Sequence, residues 1–143
     1  MRRPEEIDTF PEYIEEGKVE RTGKDPAKAE SLRKRSASKF STMEKLEITK
    51  ETATDYLENV YEACKMLFLS RMATEGLKPY SHEAIAAYAI DRTELDMVEA
   101  NLFNKYRKLR NDISYRGEIA TVSEAKDIRE LYIRIKKALF KEK

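Results

Sequence analysis

The amino-acid sequence predicts an all-α protein, an up-and-down bundle of about five helices. Three observations carry that expectation. Only four glycines and four prolines punctuate 143 residues, which favours long helices over many short strands. Apolar residues recur at helical spacing in several long segments, and no strand-like alternation of useful length occurs. Helix start signals, in which Asp, Ser or Thr precede an apolar row, fall where those segments begin.

The order of elements follows from those signals. Residues 1–25 hold several helix breakers in TFPEYIEEGKVERTGKD and read as an irregular N-terminal arm with one short helical turn at Pro11 to Glu16. Residues 26–143 form the helical domain. Asp25 as N-cap and Pro26 in the first helical position open the first long helix, whose Ala29, Leu32, Ser36, Ala37, Phe40 and Met43 follow helical spacing to about Leu46. Its other side carries Lys28, Arg33, Lys34, Arg35 and Lys39, read as a solvated face. Thr49 is placed to cap the second helix, in which Ala53, Leu57, Val60, Cys64, Leu67 and Phe68 make one apolar stripe ended by Gly76. Ser81 caps a short third helix containing Ala84, Ile85, Tyr88 and Ala89, with His82 in its first turn. A lone histidine there reads as structural, and the positive end of the helix dipole keeps it neutral.

The fourth helix is expected to open at Thr93-Glu-Leu-Asp96 and to bury Leu95, Val98, Leu102, Tyr106, Leu109 and Ile113, with Gly117 as its left-handed terminator. Thr121-Val-Ser-Glu124 is a capping box for the fifth, whose Ala125, Ile128, Leu131, Tyr132, Ile135 and Leu139 face inward.

Composition narrows the function classes. No apolar run reaches the ~18 residues of a membrane span, and the first residues lack the apolar core of a signal peptide, so a cytoplasmic address is expected. The single cysteine, Cys64, has no thiol to pair with and reads as a core residue. No glycine-rich phosphate loop is present, and one histidine cannot build a zinc motif, so no cofactor and no metal are expected. Glu5-Glu6 and Glu15-Glu16 read as solvated pairs. The net charge of +1 hides an asymmetry: residues 18–45 hold nine Lys and Arg against four Asp and Glu, whereas residues 46–104 hold five against eleven. Such a distribution permits a basic surface on a balanced molecule.

One segment stands apart, KYRKLRNDISYRG at 105–117. Arg110 lies one place beyond Leu109 and four before Ser114, and Asn111 and Tyr115 share a face. Polar side chains therefore project from the border of an apolar stripe, where they either line a cleft or interface or tie the helix to a neighbouring loop.

At these residues the chain resembles the HEPN superfamily, whose signature is an arginine, often followed by asparagine, with a histidine five positions after the arginine on a late helix. Arg110-Asn111-Asp-Ile-Ser-Tyr115 fits that pattern except at its last position. FPEYIEEGKV, YEACKMLFLSRMATEGLKPYSHEAI and RNDISYRGEIATVSEAKDI extend the likeness, to archaeal-type members, over most of the chain.

The resemblance implies a helical bundle that forms homodimers, with two motif helices meeting across a cleft. Active members are metal-independent ribonucleases, and many serve as toxins or defence components beside a minimal nucleotidyltransferase antitoxin. Carried over, Arg110 contacts phosphate, Asn111 orients that arginine, and Tyr115 takes the histidine's place; Arg107 and Arg116 in the same basic segment are further candidate substrate contacts. A phenol titrates near ~10 and is a poor general base at neutral pH. The expectation is therefore a dimeric HEPN-like binding or accessory domain beside a nucleotidyltransferase-like or other protein, with an RNA-cleaving enzyme using Arg110 and Tyr115 as the alternative.

Overall fold

The computed structural model describes residues 2–141, and among these it is an all-α helical bundle with one very small sheet. The elements are α1 (Phe10–Glu15), β1 (Val19–Arg21), α2 (Pro26–Glu44), α3 (Ala53–Glu75), β2 (Leu77–Pro79), α4 (His82–Asp91), α5 (Met97–Arg116) and α6 (Val122–Leu139). No helix among the described residues is long and apolar enough to cross a membrane.

The core is organised around α3. The sequence pattern suggests one apolar stripe there, but Tyr56, Tyr61, Ala63, Met66, Ser70, Met72 and Ala73 are buried as well. α2, α4, α5 and α6 all pack on this helix, so nearly its whole circumference is covered. Small residues let α2 approach closely and antiparallel. The Ser36 hydroxyl donates to the Ala63 carbonyl at 2.6 Å, and the Ser70 hydroxyl to the Ala29 carbonyl at 2.6 Å. Each of these buried hydroxyls thereby avoids the ~1–3 kcal/mol cost of an unsatisfied polar group. On the far side Phe103 of α5 stacks against Tyr61 with ring centroids 5.4 Å apart and leans on Phe68 at 4.6 Å.

Local capping agrees with the sequence at three starts. Asp25 accepts from the Lys28 amide at 3.0 Å, Ser81 from the Ala84 amide at 3.1 Å, and Thr121 with Glu124 closes a reciprocal box at 3.1 and 2.9 Å. Two starts differ. α5 is capped by Asp96, whose carboxylate accepts from the Glu99 amide at 2.8 Å, while the Thr93 hydroxyl turns back to the Ala89 carbonyl. α3 begins three residues late, because Thr49 and Thr52 bond each other's amides and hold a separate turn ahead of it.

The short helical turn expected at Pro11 to Glu16 is present as α1, but the segment around it is ordered against the bundle rather than irregular. Thr9 and Glu12 form a capping box that starts α1, and Ile7, Phe10, Tyr13 and Val19 bury themselves in the same core as the bundle. β1 pairs antiparallel with β2, with Glu20 opposite Lys78, a pair of three-residue strands too short to show alternation. The junction depends on Gly76, which ends α3 at φ +75°. A Cβ there would lie 2.6 Å from the Thr22 carbonyl oxygen, so the position excludes larger residues both by backbone conformation and by the arm's close approach.

The buried face of α5 is also rotated from the sequence expectation. Ala100, Phe103, Asn104, Tyr106 and Arg107 point inward, whereas Val98 is half exposed and Leu102, Leu109 and Ile113 sit at the border. The aromatic pocket between Tyr61 and Phe68 sets this rotation, since Phe103 fills it. Phe103→Ala is therefore expected to cost ~3–5 kcal/mol in urea unfolding, and Leu102→Ala distinctly less. A larger loss at Leu102 would contradict the observed rotation.

Candidate functional site

The rotation of α5 brings its polar residues to a cleft of about 390 Å³ that is walled by α3 and by the first turn of α4. Arg107, Arg110, Asn111, Ser114 and Tyr115 line one side, an i, i+3, i+4 row along the last turns of α5. Glu62 comes from α3, and Ser81, His82 and Glu83 come from the start of α4. Four of the five residues singled out in the sequence thus meet in one place. The fifth, Arg116, does not line the cleft; it is 76% exposed and lies 3.8 Å from Asp112, one turn back.

The two arginines in the cleft differ in character. Arg107, read from the sequence as a substrate contact, is only 9% exposed. Its Nε donates to Asn104 Oδ1 at 2.9 Å and its Nη1 to Glu83 Oε1 at 3.2 Å, while Asn104 donates in turn to Glu6 at 3.1 Å. That chain of bonds ties α5 to α4 and to the N-terminal segment, so Arg107 positions the cleft walls. Arg110 sits nearer the opening. Its Nη1 lies 3.4 Å from Glu58 Oε2 of α3 and donates to the Ser114 hydroxyl, and its buried Nε–H has no partner among the described residues. A buried donor left unpaired costs stability, so its occurrence on the motif arginine marks a side chain with hydrogen-bonding capacity in reserve.

Tyr115 is 83% exposed at the rim, and Ile119, just past the Gly117 terminator, is 71% exposed. Two large side chains four residues apart in the chain therefore stand in solvent, and Tyr115 of the two lines the cleft. Asn111 is exposed and lines the same cleft.

Sequence reasoning missed the residues from the other helices. His82 was read as structural, yet its ring lines the same cleft as Arg110 and Asn111. Part burial against the cleft wall lowers its pKa from the ordinary value of 6.5, the Lys65 charge lowers it further, and Glu62 and Glu83 oppose the shift. A depressed pKa keeps the ring neutral at pH 7, able to accept a hydrogen bond or a proton. No spacing in the sequence links residue 82 to residue 110; the only signal was the Ser81 cap, which fixes where the imidazole leaves the helix.

The electrostatics are nearly balanced. Lys65 pairs with Glu62 at 2.9 Å, Arg107 with Glu83, and Arg110 with Glu58. Among the described residues no group of three His, Cys, Asp or Glu side chains is arranged to hold a metal ion. Cys64 is fully buried, and burial pushes its thiol pKa far up, which leaves it inert.

Two outcomes follow from this geometry. Arg107→Ala should lower stability by about 2 kcal/mol, since it strands the buried Asn104 side chain, whereas Arg110→Ala should cost no more than ~1 kcal/mol; urea midpoints compare them. The one histidine of the chain should titrate by NMR with a midpoint below 6.5, and Lys65→Met should raise it. Because the unfolded chain then takes up this proton first, the folded state loses stability as pH falls through the region around and below ~6.5. A His82 midpoint above 6.5 would contradict the surroundings described.

Comparison with known proteins finds no matching family model, no similar curated protein and no similar solved structure.

Proposed function

We propose that the chain is a HEPN-like dimeric binding module whose cleft holds an anionic group, and that it acts beside a nucleotidyltransferase-like or other protein partner. The observation that carries this reading is the state of the motif residues. Arg110 shares the cleft with Asn111 and Tyr115 and keeps an unpaired Nε–H, but its charge already faces Glu58, and the residue five places on is an exposed phenol. Binding an anion needs only that the guanidinium exchange one carboxylate for another acidic group. Cleaving a phosphodiester also needs a proton carrier near neutral pH, which a phenol does not readily supply.

Dimer formation gives the exposed phenol a role. Tyr115 lines the cleft and stands exposed, and a two-fold contact there buries it from each subunit at once. That contact also sets two copies of Arg110 across a shared opening.

One observation favours the second reading, a metal-independent ribonuclease acting through Arg110 and Tyr115: His82 brings an imidazole to the same cleft from α4. The two readings separate in one experiment, in which purified protein is incubated with mixed RNA in chelator and its mass is measured by sedimentation. The binding module is dimeric and leaves RNA intact. Tyr115→His then creates cleavage, with a gain of the ~10²–10⁴-fold typical of general acid–base catalysis, and adding Arg110→Ala removes it. Cleavage by the unaltered chain that is lost in Arg110→Ala would overturn the binding reading in favour of the enzyme, and Tyr115→Phe against His82→Ala then shows which group carries the proton. A monomer at micromolar concentration would overturn the dimer.

A further inference from the structure

The bundle carries a long groove that shares no lining residue with the cleft. α2 and α6 lie side by side on α3, antiparallel to each other, and meet at a floor, where Phe40 stacks on Tyr132 with centroids 3.9 Å apart and the Ser36 and Tyr132 hydroxyls lie 3.3 Å from each other. Beyond that floor two cavities open, of about 630 and 380 Å³. Both are lined by Ala37 and Lys136, so they are two halves of one trough.

The trough follows a single row of α2. Ala29, Arg33, Ala37, Phe40 and Glu44 line it at spacings of 4, 4, 3 and 4, which is one helical face running from the start of the helix to its end. At 1.5 Å per residue that row is about 22 Å long, or roughly four turns. α6 supplies the opposite wall of the smaller half with Ile133, while Phe140, just past its end, and Ser70, Arg71 and Thr74 of α3 close the larger half.

We propose that this groove docks an acidic amphipathic helix of a partner protein. The proposal concerns a surface separate from the cleft and does not depend on what the cleft binds. Shape favours a helix. A trough walled by helices, several turns long and carrying Ala37, Phe40, Ile133 and Phe140 along its length, takes the apolar stripe of a further helix as ridges fit into grooves. Strand addition has nothing to pair with here, because the walls are helices and the β1–β2 pair is built from other segments.

Charge selects the sign. The rims carry Arg33 and Lys34 on α2 and Lys136 and Lys137 on α6, against Glu30 and Glu44 at the two ends of the α2 row. Lys34 and Glu30 lie 3.3 Å apart, both well exposed, a pair that is weak enough to open for another carboxylate. A helix with acidic residues flanking its apolar stripe meets cations on both sides while its stripe covers Ala37 and Ile133. RNA fits less well: the floor rings are already stacked on each other, and Phe140 lies under Arg33 at 4.5 Å, so no free aromatic face is offered to a base.

The test titrates the full chain with a fluorescein-labelled peptide of roughly 18 residues, about 27 Å when helical, carrying leucines at helical spacing flanked by glutamates. A peptide with the same leucines and lysines in place of the glutamates, and an RNA oligonucleotide, serve as rivals. The acidic peptide is expected to bind with micromolar Kd and at least about tenfold more tightly than the basic one. The exposed pair Lys34→Glu with Lys137→Glu should weaken it about tenfold, and Ala37→Trp, filling the trough, should abolish it in a protein whose helicity is unchanged. Arg110→Ala should leave it intact, which separates failure here from failure at the cleft. No binding, equal binding of the two peptides, or displacement of the acidic peptide by RNA would overturn the proposal. So would self-association of the chain that Ala37→Trp removes, because the occupant would then be a second copy.

Discussion

Everything in this bundle depends on the near-complete burial of α3. Its 23 residues must be matched by four neighbours, which leaves only a narrow polar strip through Asp55, Glu58, Glu62 and Lys65. The match is made with two kinds of contact. Toward α2 the spacing is set by Ala29, Ser36, Ala63 and Ser70, whose small side chains let two backbones approach until a hydroxyl can reach a carbonyl. Toward α5 it is set by aromatic rings, with Phe103 between Tyr61 and Phe68. Because interiors are close-packed, neither contact can slide without opening a void. The cleft is a by-product of that lock: once Phe103 is seated, Arg107, Arg110 and Asn111 have one available direction, toward Glu58, Glu62 and the first turn of α4.

What was legible in the sequence is what is encoded locally. A cap is a contact between residues three apart, so Asp25, Ser81 and the Thr121–Glu124 box could be read directly, and so could the helices they open. Arg110, Asn111 and Tyr115 lie within two turns of one helix, and their shared face follows from spacing alone. The rest needed the third dimension. Leu102 and Phe103 are neighbours in the chain, and only the gap between Tyr61 and Phe68 decides which of them turns inward. An arginine one turn from a motif arginine looks like a ligand contact, until Asn104 and Glu83 are found holding it. Ile7, Phe10, Tyr13 and Val19 are too scattered to form a pattern, yet each enters the core.

The cleft joins groups from three helices that share no motif. Its carboxylates face its guanidiniums almost one for one, an arrangement that limits unselective attraction of polyanions while leaving directed hydrogen bonds available. Selectivity from such a site comes from geometry more than from field strength. A ligand must offer acceptors where Glu58 and Ser114 now offer theirs, and it must do so beside a neutral imidazole and an exposed phenol.

The junction at Gly76 ties the opening of the chain to this chemistry. β1 is zipped to β2, the Tyr80 amide donates to the Lys18 carbonyl at 2.8 Å, and Ser81, His82 and Glu83 follow at once. From the other direction Glu6 reaches Asn104, which holds Arg107. The N-terminal segment is therefore a latch on the cleft, fastened at both of its walls. A protease that nicked the exposed stretch between Arg21 and Asp25, or a binding protein that peeled β1 from β2, would slacken the imidazole wall and the arginine wall together, so that the integrity of the amino end becomes a control on the site more than sixty residues away in sequence.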